Sequence, residues 1–448
     1  MNQSVLLTSG AAATPPAPGL TQLGSAASRR SIAGSFFGMV LESYDFLLYA
    51  SVATVILAPL FFPASDPFLG TMLGAATLAV GFIARPVGGM VFGHYGDKIG
   101  RKPLMLMSLM MIGVSTFCIG LLPTYAQIGV AAPIVLVILR LIQGIAYGGE
   151  WGGAVLMSVE HAPLHRRGLI GSLPQAAVPL GLLLATGMLK LAAAITGPEY
   201  MTWGWRLPFI FAVVVLALGL WVRTQTIETP EFKAAVAKGG RTRAPLLVAI
   251  RTYPREVACS AAVFAVSQCI YYLVIVFAVQ YCVGTLRMAL SDMMTTVAIA
   301  SFVQIFALVA FGALSDKLGR VPVMLFGAVG LGLILSQFFG LLQTKDMTLI
   351  TLAVTAALAL NSAFYGPTAA LLVESFGPEV RFSGISLGAN LGALLGGAFT
   401  PMIALGLLKT FNNETWPIVS YGVMVIGIGT VGLVLLRRTI AARHHATT

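Results

Sequence analysis

The feature that most constrains this chain is a succession of twelve apolar runs, each long enough to cross a bilayer. They fall at about 32–60, 68–93, 103–122, 128–158, 168–190, 205–223, 256–283, 291–312, 322–342, 347–374, 381–407 and 415–436. In hydrocarbon every backbone N–H and C=O needs a partner within the protein, and only helices and closed barrels satisfy that while spanning. Near-continuous apolar runs of about 20 residues specify helices rather than short alternating barrel strands. The expected fold class is an all-α integral membrane protein of twelve transmembrane helices. Composition agrees: 57% of residues are hydrophobic and 10% charged, where a soluble protein carries about 25% charged. A soluble multidomain enzyme is excluded.

Polar breaks divide the runs into two sets of six. The longest break between spans, 224–255, holds Glu228, Glu231, Lys233, Lys238, Arg241, Arg243, Arg251 and Arg255. The first residues are rich in Ala, Pro, Ser, Thr and Gly, and bury too little apolar surface to order themselves. The expected organisation is a disordered cytoplasmic tail over 1–30 and a six-helix bundle over 31–223. A cytoplasmic linker over 224–255, a second six-helix bundle over 256–438 and a cytoplasmic tail over 439–448 follow. Ser28-Arg29-Arg30 faintly matches a twin-arginine signal. The next segment is too long and carries two acids, so the arginines read as a cytoplasmic anchor.

A charged island, Gly93-His94-Tyr95-Gly96-Asp97-Lys98-Ile99-Gly100-Arg101-Lys102, separates the second and third runs. It returns as Gly312-Ala313-Leu314-Ser315-Asp316-Lys317-Leu318-Gly319-Arg320, 219 residues on. The aspartate can accept from a neighbouring helix N-terminus or from the arginine four residues later. Glu160 and Arg167 are likewise followed by Glu374 and Arg381, both 214 residues on. Repeats half a chain apart imply a duplicated, pseudo-symmetric bundle. They group eight cytoplasmic charges: Asp97, Arg101, Glu160 and Arg167 with Asp316, Arg320, Glu374 and Arg381.

The net charge of +11 does not imply a nucleic-acid partner. Of 27 Lys and Arg, 20 fall in the termini and alternate loops on one side. Lys190, Arg206, Arg287, Lys345 and Lys409 lie opposite, and Arg85 and Arg140 lie within spans. That asymmetry puts both termini in the cytoplasm of a multi-pass protein in a plasma membrane, with the lipid bilayer as its partner. The four cysteines sit in or beside apolar runs, and neither they nor the five histidines show metal-ligand spacing. No phosphate-binding loop points to a nucleotide.

Charges at mid-bilayer are costly and mark pathways. The first span holds Glu42, Asp45 and Tyr49 on one helical face. The second holds Arg85, and the fourth Arg140 and Glu150. Gly144, Gly148 and Gly152 form a small-residue stripe on the fourth that admits a close neighbour. Arg85 can clamp a carboxylate with two hydrogen bonds. Asp45 with Arg140 reads as a proton-coupling pair, with Glu42 one turn back as the second carrier. Proximity to arginine favours an ionised acid and separation in a dry site a protonated one, so making and breaking such a pair loads and releases a proton. The second half offers hydrogen-bonding groups instead: Gln268, Tyr271, Tyr272, Gln304, Asn361, Tyr365 and Asn390.

The duplicated island resembles the signature loop of the major facilitator superfamily. The resemblance implies two six-helix bundles, alternating access, and a cytoplasmic gate made by the eight charges named above. Tyr44-Asp45-Phe46, Arg85-Pro86, Gly148-Gly149-Glu150, Trp203 through Phe209, and Glu228-Thr229-Pro230-Glu231-Phe232 resemble the metabolite:proton symporter family. Gly148 through Gly153 and Gly396-Gly397-Ala398-Phe399-Thr400-Pro401 lean toward its shikimate-transporter-like branch. Ser43 departs from the tryptophan usual before Tyr-Asp-Phe. The implied function is proton-coupled uptake of a small organic acid, or of a zwitterionic osmolyte, by a monomer with no cofactor beyond protons. The implied substrate contacts are Arg85, Tyr44, Tyr147, Glu150, Gln175, Gln268, Tyr271, Tyr272 and Asn361. Efflux antiport is disfavoured, because Ala176-Ala177-Val178-Pro179-Leu180-Gly181 is a poor match to the antiporter Gly-Pro signature. A membrane enzyme would need a nucleophile, metal or acid–base pair that the sequence does not offer.

Overall fold

The computed structural model describes residues 26–63, 66–99, 101–148, 151–160, 162–224, 251–377 and 381–447. The linker and the first tail expected from sequence lie almost wholly outside these residues, as do Glu150 and the side chains of Asp97, Arg101 and Glu160. Among the described residues the regular structure is helical throughout. The first half contributes α1 (Phe36–Phe61), α2 (Phe68–Phe92), α3 (Leu106–Leu121), α4 (Ala131–Tyr147 and Trp151–Glu160), α5 (Leu164–Met201) and α6 (Gly204–Val222). The second contributes α7 (Pro254–Thr285), α8 (Leu290–Leu318), α9 (Arg320–Gln343), α10 (Met347–Ser375), α11 (Arg381–Thr410) and α12 (Trp416–Ile440).

The apolar core of α3 is short, but its helix runs over Arg101–Leu121, 21 residues. At about 1.5 Å per residue that is about 31 Å, enough to cross the hydrocarbon. α5 runs beyond its expected end near 190. Lys190 does not stop it; its ammonium donates to Thr295 Oγ1 at 2.6 Å on α8. The α-helix ends only at Gly197, whose φ of +52° suits a residue without Cβ.

Helices α2 and α4 meet along glycines, as the stripe on the fourth run predicts. A methyl group on Gly144 would overlap the Gly81 carbonyl, one on Gly148 the Arg85 carbonyl, and one on Gly88 the Ile145 carbonyl. Backbones in such contact hold Arg85 and Arg140 at fixed depth on adjoining helices. Across the halves, α5 packs on α8, and α2 on α11. Large apolar side chains such as Phe302, Phe306, Val329 and Leu333 stay exposed. In a bilayer they face acyl chains rather than water.

Single π turns interrupt α1 at Ala53–Leu57 and α7 at Leu273–Phe277. These are the first helices of the two halves, and the turns lie 220 residues apart, nearly the spacing of the charged islands. The duplication therefore extends to a backbone distortion. π turns break the regular ladder and concentrate near functional sites, and residues 271 and 272 immediately precede the second one.

Candidate functional site

A cavity lies where the halves meet. It measures about 80 Å³ on a scale where one water needs about 10–15 Å³, so it has room for a small solute. The first half lines it with Phe46, Arg85, Tyr147, Trp151 and Gln175. From the second half come Gln268, Tyr271, Tyr272, Gln304, Asn361, Tyr365 and Asn390. All seven polar positions picked out in the second half thus converge on one space. Phe46, Trp151, Ser267 and Ser386 also line it and were not singled out from sequence. Nothing distinguishes a lining serine or aromatic from a packing one until the helices are placed.

Arg85 is buried, and its guanidinium lies 4.4 Å from the Phe46 ring centre, 4.1 Å from Phe82 and 4.4 Å from Tyr147. Three ring faces can hold a cation in place without neutralising it. Its Nε has no hydrogen-bond partner among the described residues.

Tyr44 does not line the cavity. Its hydroxyl donates to the Pro208 carbonyl of α6 at 2.7 Å. Two residues along a helix are about 200° apart, so with Phe46 facing the cavity, Tyr44 must face away. Its position fastens α1 to α6.

Behind the cavity wall lies a second polar cluster, buried between α1, α2, α3 and α4. Arg140 Nη1 donates to Gln143 Oε1 at 2.8 Å, and Gln143 Nε2 donates to Thr116 Oγ1 at 2.8 Å. Thr116 in turn faces the Asp45 carboxyl group. Arg140 Nε also points to the Thr77 carbonyl at 3.5 Å, and its guanidinium sits 3.9 Å from the Tyr49 ring centre. Among the described residues no ion pair joins Asp45 to Arg140, and Asp45 Oδ1 and Arg140 Nη2 have no partner. Asp45 and Arg140 are therefore connected through Thr116 and Gln143, which sequence reasoning did not pick out. Glu42 is buried on the same helix. The Phe46 ring separates cluster and cavity, with Arg85 on it at 4.4 Å and Arg140 at 5.0 Å.

On the side where α8 ends and α5 begins, Asp316 holds the halves together. The N–H groups of Gly168 and Leu169 donate to its two carboxylate oxygens, each at 2.8 Å. Asp316 thus caps α5 from the other half of the chain, satisfying two donors left open at a helix start. Arg320 donates to Asp316 at 2.6 Å and to Glu374 at 3.3 Å. Arg167 opens α5, and Arg381 Nε donates to the Phe376 carbonyl at 3.3 Å. On the opposite side, Lys409 pairs with Asp66 at 3.3 Å and lies 3.9 Å from the Phe68 ring centre. The Phe68 N–H, and then Lys409, hold the exposed Asp66 carboxyl below its ordinary range.

Asp316→Asn keeps the shape but loses the charge and one acceptor oxygen. Charged hydrogen bonds contribute about 1.5–3 kcal/mol each, so losing one shifts the open–closed balance by a factor of at least about ten. Distances between spin labels near the α5 start and the α8 end should lengthen. An unchanged distance distribution would show that Asp316 does not hold this end shut.

The arrangement is that of a carrier: two helical halves, a cavity between them, and charged contacts between halves on either side. The profile of the Major Facilitator Superfamily matches residues 35–381, and the chain belongs to that superfamily. It is a transporter, not an enzyme. It is 34% identical to the inner membrane metabolite transport protein YhjE of Escherichia coli over 413 residues, covering 90% of each chain. It is also 34% identical to the shikimate transporter of that organism over 398 residues, covering 88% of this chain and 91% of the relative. The crystal structure of a D-xylose-proton symporter superposes with a TM-score of 0.70 at 19% identity, covering 92% of this chain and 97% of that one.

Proposed function

We propose that this protein takes up a small organic acid together with protons by alternating access. The observation that carries the reading is a buried, unneutralised-by-design guanidinium, Arg85, set among three aromatic rings at the wall of a solute-sized cavity. A carboxylate entering that cavity meets a fixed fork of donors in a low-dielectric site. Asp45, one aromatic ring away, is the proton carrier, and Gln143 and Thr116 connect it to Arg140. The Asp316 contacts form half of a gate that the other bundle completes around Asp97. The 20 basic residues on one side put both termini in the cytoplasm of a bacterial inner membrane. The protein works as a monomer, with protons as coupling ion and no other cofactor. The similarity to metabolite and shikimate transporters supports the substrate class.

The test is accumulation in proteoliposomes under an imposed inward proton gradient, with a panel of labelled organic acids and glycine betaine. At least one acid should concentrate inside, and a protonophore should collapse the gradient of solute. Accumulation of glycine betaine alone would assign the osmolyte class instead. Solute uptake that ignores the protonophore would overturn proton coupling.

A further inference from the structure

Two amide side chains at the cavity have their orientation fixed. Gln175 Nε2 points to the Gly366 carbonyl at 3.2 Å and to the Gly171 carbonyl at 3.5 Å. Asn361 Nδ2 donates to the Ser267 carbonyl at 3.3 Å. Backbone carbonyls only accept, so turning either amide over would set oxygen against oxygen. Each amide therefore keeps its nitrogen on the backbone and has its oxygen left over. Gln175 Oε1 and Asn361 Oδ1 are buried, line the cavity region and have no hydrogen-bond partner among the described residues. A buried acceptor without a donor is costly. The two come from α5 and α10, on opposite halves, so their pairing with one solute would bridge the bundles. The Tyr271 hydroxyl, also buried and without a partner, adds a group that can donate or accept.

We infer that the cavity selects a hydroxylated carboxylate, with the carboxylate at Arg85 and hydroxyl donors given to the oxygens of Gln175 and Asn361. The inference rests on the organic-acid reading above and deepens it. A plain carboxylate would fill the Arg85 end and leave both oxygens dry and unpaired. A trimethylated betaine has no donor to offer either of them. A hydroxyl satisfies one oxygen and adds no charge. Sites built to hydrogen-bond a hydroxyl discriminate strongly against the analogue that lacks it.

The experiment measures binding to the purified full chain by calorimetry, with matched pairs of acids. The pairs are lactate and propionate, malate and succinate, and trihydroxycyclohexenecarboxylate and cyclohexenecarboxylate; glycine betaine is the comparison. In at least one pair the hydroxylated acid should bind roughly tenfold or more tightly. Asn361→Leu and Gln175→Leu should each shrink that ratio. The wild-type ratios stand even if one variant fails to fold. Should the plain acid bind as well as its hydroxylated partner in every pair, the inference falls while the organic-acid reading survives. Should no acid bind, or betaine bind more tightly than all of them, both fall together.

Discussion

Asp45→Asn protein in liposomes is expected to exchange substrate between equal pools and to fail at uphill accumulation. Asparagine keeps the size of the side chain and an oxygen for Thr116, so the cluster of Asp45, Thr116, Gln143 and Arg140 can keep its shape. It cannot carry a proton. One pH unit corresponds to about 1.36 kcal/mol, which drives about tenfold accumulation for one proton per solute. The wild-type protein should approach that ratio and the variant should stay near one. If the variant still concentrates substrate, Asp45 is not the carrier, and Glu42 or Glu150 takes its place in the test.

The location of this cluster makes coupling physically reasonable. Arg140 and Arg85 share the Phe46 ring, at 5.0 Å and 4.4 Å. A substrate carboxylate at Arg85 changes the field felt one ring away, where low dielectric leaves charges poorly screened. Rotation of α1 between states would move Asp45 and Phe46 together, because they are neighbours on one rigid helix. Gln143 and Thr116 allow the acid and the guanidinium to stay connected while apart.

The helices were legible because the bilayer demands long apolar runs and helical backbone pairing. Their ends were less so. Hydropathy stops α5 at Lys190, whereas the helix stops at a backbone signal, Gly197, because a long lysine can reach a polar partner from within it. The second-half site residues were legible because a glutamine or asparagine in an apolar run stands out against its neighbours. Tyr44 was misleading for a related reason: it belongs to a recognisable stretch, but helical rotation turns it toward Pro208. Thr116 and Gln143 carried no comparable signal, since polar side chains in membrane helices often serve only local contacts. Thr116 also donates to the Ile112 carbonyl in its own helix at 3.0 Å. Only the approach of α3 to α4 reveals the other contact.

Arg85→Lys is expected to weaken substrate binding by about 1.5–3 kcal/mol, the contribution of a charged hydrogen bond, or about 10- to 150-fold in Kd. Lysine keeps the positive charge, so a purely electrostatic role would be largely preserved. It loses the planar fork that meets both oxygens of a carboxylate. It also loses the flat face that packs against Phe46, Phe82 and Tyr147, so the ammonium is free to seek other partners. Arg85→Met removes the charge while retaining much of the stem, and should lose more affinity than the lysine variant. Two readouts separate recognition from packing. Thermal unfolding without substrate reports whether the ring cluster survives, and calorimetry with the transported acid reports the site. Wild-type stability with the expected loss of affinity assigns Arg85 to substrate recognition. A lowered melting temperature with Kd within threefold of wild type would instead make Arg85 a brace for the α1–α2–α4 wall, and the carboxylate would have to be held elsewhere.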